Sequence, residues 1–144
     1  MSQVKQDFLQ AQEKIQRHQR TILQVDDDSA NMLLVVELLS RHSDLKVLTA
    51  SNGHDALKIA FEHQPCVILM DINMHSLNGF EALAILRANP ETMHIPVIAL
   101  SSDAYPSQIK AGLEAGFYRY LTKPFIFAEL MDAIETALLN RVEA

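Results

Sequence analysis

Three aspartates stand side by side where an apolar segment ends. The segment "TILQV" runs directly into Asp26, Asp27 and Asp28. Ionised carboxylates about 5 Å apart repel each other by roughly 3 kcal/mol at an effective dielectric constant near 20. Two interpretations are open at this point. Either the cluster is a solvated loop with a capping residue before a helix, or two of the carboxylates face one point and hold a cation there.

Further polar side chains stand where later apolar runs end. The run "CVILMD" closes on an aspartate, "IPVIALS" on two serines, and "YRYLT" on a threonine that is followed by a lysine. These residues are Asp71 with Asn73 two positions on, Ser101 and Ser102, and Thr122 and Lys123. Carboxylates, a hydroxyl and an ammonium group could form a site together only if the fold brings the ends of these runs to one place.

The alternating patterns along the chain predict such a fold. Short apolar runs that are typical of strands alternate with segments whose apolar residues recur at helical spacing. The predicted strands are "TILQV", "KVLTA", "CVILMD", "IPVIALS" and "YRYLT", and a helical segment follows each of them. Five strands alternating with five helices indicate an α/β fold, a doubly wound parallel sheet with helices on both faces.

Ligands of such sheets bind beyond the carboxyl ends of the strands, at the point where the strand order reverses. The predicted fold therefore brings three carboxylates, a hydroxyl and one lysine to the same edge. Hard oxygen ligands held at one edge suit Mg²⁺, which keeps several waters and takes only a few protein oxygens. This placement favours a cation site over a solvated loop for Asp26 and Asp27, while Asp28 is better explained as a helix cap or a solvent-facing carboxylate than as a ligand.

The first twenty residues differ from the rest, being rich in Gln and charge and lacking Gly and Pro. Val4, Phe8, Ala11 and Ile15 recur at helical spacing, which indicates one amphipathic helix. Such a stripe is too narrow for a core of its own, so we expect a connector, a packing arm or the remnant of an upstream region. The predicted organisation is a helical arm or linker over 1–20, one domain over 21–141 and a tail over 142–144.

Composition and charge exclude several classes of function. A formal net charge of −6 without a basic run argues against a nucleic-acid surface. A single cysteine, Cys66, permits no internal disulfide, and its apolar surroundings in the sequence predict that it is buried. No apolar stretch has the length of a membrane span, and the N-terminus lacks the apolar segment of a signal peptide, so we expect a cytoplasmic protein without membrane contact through this segment.

The residues at the predicted sheet edge closely resemble those of the receiver domain of bacterial two-component response regulators, over about 21–141. An acidic pair closes the first strand, "MDINM" places an Asp at the end of the third, "ALSSDA" supplies a hydroxyl after the fourth, and "YLTKPF" supplies an aromatic, a Lys and a Pro around the fifth. Each motif alone is weak, but the four in this order are specific. The resemblance implies the flavodoxin-like (βα)5 receiver fold.

The resemblance also implies the chemistry. Asp71 would be the phosphoacceptor, taking a phosphoryl group from the phosphohistidine of a histidine kinase or of a histidine phosphotransfer domain. The cofactor would be Mg²⁺ or Mn²⁺, held by Asp26, Asp27, Asp71 and the backbone carbonyl of Asn73. The metal and Lys123 would neutralise charge on the transferring group.

A conformational switch is implied as well. Ser101 would hydrogen-bond the new acyl phosphate, and its shift would let Tyr120 turn inward. This would change the surface formed by the fourth helix, fifth strand and fifth helix of the domain, where a protein target or a second copy of the chain would bind. Asn73 and Asp103 fall at the two variable positions that tune the lifetime of the phosphoryl group, and the bond before Pro124 would be cis.

The sequence departs from the family pattern at three positions. His75 stands where a Pro is common after the phosphoacceptor, and Asn78 stands where an Asp often precedes the Gly of that loop. Ser101 replaces the commoner Thr, which keeps the hydroxyl and loses a methyl group. We expect the chemistry to survive these changes, while the shape of the loop after Asp71 is the feature most affected.

Two alternative functions stay open. An aspartate-nucleophile phosphatase can share the fold and the strand-end Asp, but it wants a second Asp two residues later as general acid, and Asn73 occupies that place. A degenerate receiver would act as a constitutive scaffold. The phrases "VDDDSANMLLVVELL" and "ALSSDAYPSQIKAGLEAGFYRYLTKPF" look most like receivers attached to hybrid sensor histidine kinases, and no phosphate-binding glycine motif of nucleotide-binding proteins occurs.

Overall fold

The computed structural model describes residues 2–17, 20–103, 105–124 and 126–143. Eleven elements alternate along this part of the chain. They are α1 (Gln3–Arg17), β1 (Arg20–Val25), α2 (Ser29–Ser40), β2 (Leu45–Ala50), α3 (Gly53–His63), β3 (Val67–Asp71), α4 (Gly79–Ala88), β4 (Val97–Ser101), α5 (Pro106–Ala115), β5 (Arg119–Thr122) and α6 (Phe127–Glu143).

The five strands form one parallel sheet with the order β2-β1-β3-β4-β5. The chain starts on β1, moves outward to β2, and then crosses back to β3 on the other side of β1. The strand order therefore reverses between β1 and β3, where Val25 pairs with Met70 directly before Asp26 and Asp71. The doubly wound α/β sheet predicted from the alternating patterns is confirmed, and its switch point lies between the first two aspartate-bearing strands.

Two hydrophobic clusters cover the two faces of the sheet. One cluster joins the sheet to α3 and α4, and the other joins it to α2 and α6. All residues of β3 and β4 are buried, which explains why their sequences are unbroken apolar runs rather than alternating ones. Cys66, predicted to be buried, is only partly so, because it precedes β3 and packs at the margin of the second cluster.

Helix caps set the loops that carry the polar residues. The Asp28 carboxylate accepts hydrogen bonds from the backbone N–H groups of Ala30 and Asn31 and thereby starts α2. Asn78 starts α4 through a capping box with Glu81. Gly116 ends α5 at its C-terminus with a φ of 116°, a left-handed conformation that favours glycine. Each loop at the carboxyl edge of β1 and β3 is thus followed by a fixed helix start.

The first helix exposes its apolar residues. Val4 is 78% exposed and Phe8 is 61% exposed, so neither side chain is covered by the rest of the chain. The side chains of Ala11 and Ile15 lie outside the described part of the protein. The division into an arm, a domain and a tail stays a prediction, although helix α6 continues through Glu143. Among the described helices, none is both long enough and apolar enough to cross a membrane.

Candidate functional site

Three carboxylates meet at the carboxyl edge of the sheet. Asp26 follows β1, Asp71 ends β3, and Asp27 lies beside them, with one oxygen of each group within 4.8 Å of the others. Asp26 is 1% exposed and Asp71 is 4% exposed, whereas Asp27 is exposed to solvent. The strand order brings the first two together because β1 and β3 are neighbours, although 45 positions separate the residues in the chain.

A lysine lies between the two buried carboxylates. The Nζ atom of Lys123 is 3.3 Å from Oδ2 of Asp26 and 3.5 Å from Oδ1 of Asp71. The backbone N–H of Lys123 donates to the carbonyl of Ser101 at 2.7 Å, which fixes the loop after β5 against the end of β4. The Lys123–Pro124 peptide bond is cis. A partly buried ammonium group is thereby held against Asp26 and Asp71.

Backbone donors fix the orientation of the two buried carboxylates. The N–H of Asp28 donates to Oδ1 of Asp26 at 2.9 Å, and the N–H of Asn73 donates to Oδ1 of Asp71 at 3.1 Å. Burial raises the pKa of the Asp71 carboxyl, and the charge of Asp26 adds to this rise; Lys123 and the Asn73 N–H act in the opposite direction, and the pKa remains above its ordinary value. Lys123 and the Asn73 N–H therefore do not fully offset the cost of burying Asp71 in its ionised form.

The donor set fits a small hard cation. Three carboxylates face one ammonium group, so the cluster retains negative charge when all of these groups are ionised. A divalent cation bound there would offset the cost of burying Asp71 in its ionised form. Carboxylate oxygens are the protein ligands that Mg²⁺ prefers, and the exposure of Asp27 leaves the solvent side open for bound waters.

A second group of polar contacts lies across from the carboxylates, at the end of β4. Ser101 is fully buried, and its Oγ atom accepts hydrogen bonds from the N–H of Asp103 at 3.1 Å and from Nδ2 of Asn73 at 3.4 Å. Nδ2 of Asn73 also lies 3.3 Å from Oγ of Ser102. Asn73 thus joins the end of β3 to the end of β4 through its side chain, and contacts Asp71 through its backbone.

Tyr120 packs next to this group. Its hydroxyl donates to the carbonyl oxygen of Asp103 at 3.3 Å, and its ring is partly buried. A Cβ atom at Gly112 would lie 2.7 Å from Cδ2 of the ring, so the ring fits closely over the glycine of α5. Tyr120 therefore contacts both the loop that carries Asp103 and the helix that follows it.

The structure brings together most of the residues singled out from the sequence. Asp26, Asp27, Asp71 and Lys123 form one cluster, and Asn73, Ser101, Asp103 and Tyr120 form a connected set beside it. Two residues that depart from the family pattern lie elsewhere: Asn78 caps α4, and His75 is exposed in the loop. The sequence marks Ser102 only as a strand-end residue and contains no signal of its contact with Asn73.

Comparison with known proteins identifies the family. The family model of the response regulator receiver domain matches residues 22–135. The transcriptional regulatory protein PrrA of Mycobacterium tuberculosis is 41% identical over 120 residues, which cover 83% of this chain and 50% of PrrA. Protein PilH of Pseudomonas aeruginosa is 38% identical over 117 residues, which cover 81% of this chain and 96% of PilH. The chain thus spans about half the length of PrrA and nearly all of PilH.

Solved structures confirm the fold. The receiver domain of a sensor histidine kinase from Pseudomonas aeruginosa superimposes with a TM-score of 0.75 at 30% identity, covering 83% of this chain and 97% of that domain. That structure was solved with a magnesium ion coordinated in its active site cleft. The flavodoxin-like receiver fold inferred from the sequence motifs is therefore confirmed, with an acidic cluster at the expected edge of the sheet.

Proposed function

The chain belongs to the response regulator receiver family of two-component systems, and on that premise we propose that Asp71 accepts a phosphoryl group from a phosphohistidine. One observation carries this assignment. Asp71 is a buried carboxylate at the end of a central strand; it contacts a lysine ammonium group and lies beside other carboxylates, with which it could bind a cation. A purely structural aspartate would not need both neighbours.

In the proposed reaction, a carboxylate oxygen of Asp71 attacks the phosphorus atom. The bond from phosphorus to the imidazole nitrogen of the donor breaks, and the imidazole leaves with the electron pair of that bond. Asp71 becomes an acyl phosphate, which water later hydrolyses. The chain performs this chemistry on itself, so it is a signalling domain rather than an enzyme with an external substrate. The donor is a histidine kinase or a histidine phosphotransfer domain, and a cytoplasmic location is part of this proposal.

The acidic cluster supports a requirement for a divalent cation. The carboxylates of Asp26, Asp27 and Asp71 and the backbone carbonyl of Asn73 would hold Mg²⁺ or Mn²⁺. The bound cation would supply positive charge beside the oxygens of the transferring group. The N–H groups that donate to Asp26 and Asp71 keep one oxygen of each carboxylate fixed, and so pre-organise the site before any ligand binds.

Lys123 has a second task in this proposal. Its ammonium group offsets part of the negative charge of Asp26 and Asp71 in the unphosphorylated protein. Once the carboxylate of Asp71 is esterified, that oxygen loses its charge and the phosphoryl oxygens carry charge instead. The ammonium group then binds a phosphoryl oxygen, which is a short movement for a flexible lysine side chain that is already at the site.

The residues beside the cluster support a conformational switch. Ser101 would donate its hydroxyl to the phosphoryl group, and the loop through Asp103 would move with it. Tyr120 would respond because its hydroxyl is bonded to the Asp103 carbonyl. The affected surface consists of α5, β5 and α6, where Tyr105 and Ile126 are 68% and 63% exposed. A protein target or a second copy of the chain would bind there, and Asn73 and Asp103 would set the lifetime of the phosphoryl group.

The phosphatase alternative has no support from the geometry. The position two residues after the nucleophile holds Asn73, whose amide can neither give nor take the proton that a general acid must transfer. The scaffold alternative is opposed by the intact cluster of Asp26, Asp71 and Lys123. An origin within a hybrid sensor histidine kinase stays a prediction.

The test is intact-protein mass after incubation with acetyl phosphate and Mg²⁺. We expect the wild type to gain one phosphoryl group, and we expect neither Asp71→Asn nor wild type with chelator to gain it. Asp28→Asn is the matched control, because it makes the same change in the same acidic run at a residue that caps α2. If wild type stays unmodified, including with a phosphorylated kinase at short times, the scaffold function replaces this proposal. Phosphorylation of Asp71→Asn would refute the assignment of the acceptor.

A further inference from the structure

We propose that Ser102 is a positioning residue that, through the side chain of Asn73, aims the Ser101 hydroxyl at the phosphoryl group. This inference rests on the proposed function and adds a residue to it. The contacts that carry it are the two hydrogen bonds from Nδ2 of Asn73, one to each serine hydroxyl. We call Asn73 and these two serines the amide bridge.

The hydroxyl of Ser101 is held by two donors. A serine hydroxyl has two acceptor positions and one hydrogen to donate. In this structure, Oγ of Ser101 accepts from the Asp103 N–H at 3.1 Å and from Nδ2 of Asn73 at 3.4 Å. Both acceptor positions are therefore occupied, and the O–H hydrogen is the only group left to make a further bond. Ser101 is thus arranged as a donor, which is the role that binding an anionic phosphoryl oxygen requires.

The side-chain amide of Asn73 is held by both serine hydroxyls. Asn73 is an exposed residue, so water competes for the hydrogen bonds of its side chain. The nitrogen Nδ2 carries two hydrogens, and the contacts at 3.4 and 3.3 Å use one for each serine. Ser102 therefore supplies the second point that fixes the amide plane, and Ser101 alone would leave it free to turn about one bond.

Ser102 is not one of the reacting groups. Its side chain is exposed at the end of β4, and the hydrogen bond that the described part of the chain gives its hydroxyl comes from Asn73. The ion pairs of the site join Lys123 to Asp26 and Asp71. Ser102 thus acts only through the amide, and its removal should change the alignment of a donor without changing the cation site.

The expected effect is on the rate of phosphorylation. Donors already aimed at developing charge lower the barrier because they need no reorganisation during the reaction. Without the hydroxyl at position 102, the amide turns away for part of the time, and an acceptor position of Ser101 becomes vacant. We expect Ser102→Ala to slow phosphoryl gain by about two- to tenfold, the range that the net strength of one neutral hydrogen bond gives.

The experiment is a double-mutant cycle on the complete chain, using Ser102→Ala, Asn73→Ala and both together. The rate of phosphoryl gain from acetyl phosphate is measured by intact mass at saturating Mg²⁺, and Mg²⁺ affinity is measured separately. We expect Ser102→Ala to slow the wild type, to have no further effect in the Asn73→Ala background, and to leave Mg²⁺ affinity unchanged. Ser102→Thr, which keeps a hydroxyl, should restore the rate to within about twofold.

Ser107→Ala is the matched control, since it removes another exposed serine hydroxyl a few residues away, on α5. An equal effect of Ser102→Ala with and without the Asn73 side chain would overturn the inference, as would an unchanged rate in the wild-type background. These results differ from failure of the proposed function, in which wild type and Asp71→Asn would both stay unmodified and the inference would fall with it.

Discussion

Two buried polar side chains lie two residues apart, Gln24 within β1 and Asp26 directly after it, and their surroundings differ completely. Asp26 is 1% exposed, and it binds Lys123 and the backbone N–H of Asp28. Gln24 is fully buried, and neither atom of its side-chain amide has a hydrogen-bond partner within the described residues. Because Gln24 lies in β1 and Asp26 directly follows it, strand geometry alone does not explain why one side chain has hydrogen-bond partners and the other has none among the described residues.

The position along the sheet explains the difference. Asp26 lies beyond the last residue pair of β1, where loops and neighbouring strand ends supply donors and a cation. Gln24 lies inside the sheet between Thr49 and Leu69 of the adjacent strands, on the face that packs against α2 and α6. That face is a hydrophobic cluster, and the described residues give the Gln24 amide no hydrogen-bond partner there. A buried polar group at the edge can become a site, whereas the same burial in the interior is only a cost.

The largest effect is expected when the ammonium group of Lys123 is removed from the edge of the sheet. We expect Lys123→Ala to slow phosphorylation of Asp71 by about 100-fold, because a pre-organised charge at the transferring group is worth roughly that much. The initial rate of mass gain from acetyl phosphate measures it. Lys110→Ala is the control, since that lysine is 77% exposed and paired with Glu114 on α5. A loss of less than about tenfold would show that the ammonium group does little more than balance charge.

The second test removes the unpaired polar atoms of Gln24 from the interior of the sheet. We expect Gln24→Met to raise the free energy of unfolding by about 1–3 kcal/mol, because it replaces two unpaired polar atoms with apolar ones on a side chain of similar length. Chemical denaturation measures this change. The phosphorylation rate should stay within about twofold of wild type, since the site lies beyond the strand. Gln108→Met, at an exposed position of α5, is the control and should change stability little.

A decrease in stability on Gln24→Met would break the comparison. It would mean that the amide is stabilised by a group other than the described residues, such as a buried water with several hydrogen bonds. The edge and the interior would then use the same strategy, and the contrast between Asp26 and Gln24 would reduce to which partner each residue has.

Sequence patterns predicted the fold and the charged cluster for identifiable reasons. The unbroken apolar runs of β3 and β4 are required by burial on both faces, and strand ends of a parallel sheet meet at one edge. The same patterns could not predict the amide bridge, because its contact joins residues 29 positions apart and depends on side-chain rotamers. They also could not predict that the amide of Gln24 is buried without a hydrogen-bond partner among the described residues, since one glutamine in an apolar strand does not reveal which groups face it.

A smaller effect separates Asp28 from the cluster beside it. We expect Asp28→Ala to destabilise the protein by about 1 kcal/mol, because its carboxylate accepts the N–H groups of Ala30 and Asn31 at the start of α2. Asp28→Asn keeps an acceptor and should cost less. Mg²⁺ affinity should be similar in both variants and in the wild type. A tenfold loss of Mg²⁺ affinity in Asp28→Asn would instead make this residue a part of the cation site.

The smallest effect concerns the proton on Asp71, because Lys123 and the Asn73 N–H oppose the burial that raises its pKa above the ordinary value near 3.8. The folded, metal-free protein then binds this proton more tightly than the unfolded chain does. The contribution of protonated Asp71 to stability is therefore greatest below pH 3.8 and is lost as the pH rises through the raised pKa.

The difference in unfolding free energy between wild type and Asp71→Asn isolates this proton. Measured by denaturation in chelator, wild type should lose stability relative to the variant as the pH rises from about 4 towards neutrality. Added Mg²⁺ at neutral pH should reverse the difference, because the cation binds the ionised carboxylate and stabilises the folded state. A difference that instead grows in favour of wild type with rising pH, without metal, would mean that Lys123 outweighs burial. The cost of burying ionised Asp71 would then be fully offset by its protein partners before any cation binds. The contrast with Gln24, whose buried amide has no hydrogen-bond partner among the described residues, would be greater still.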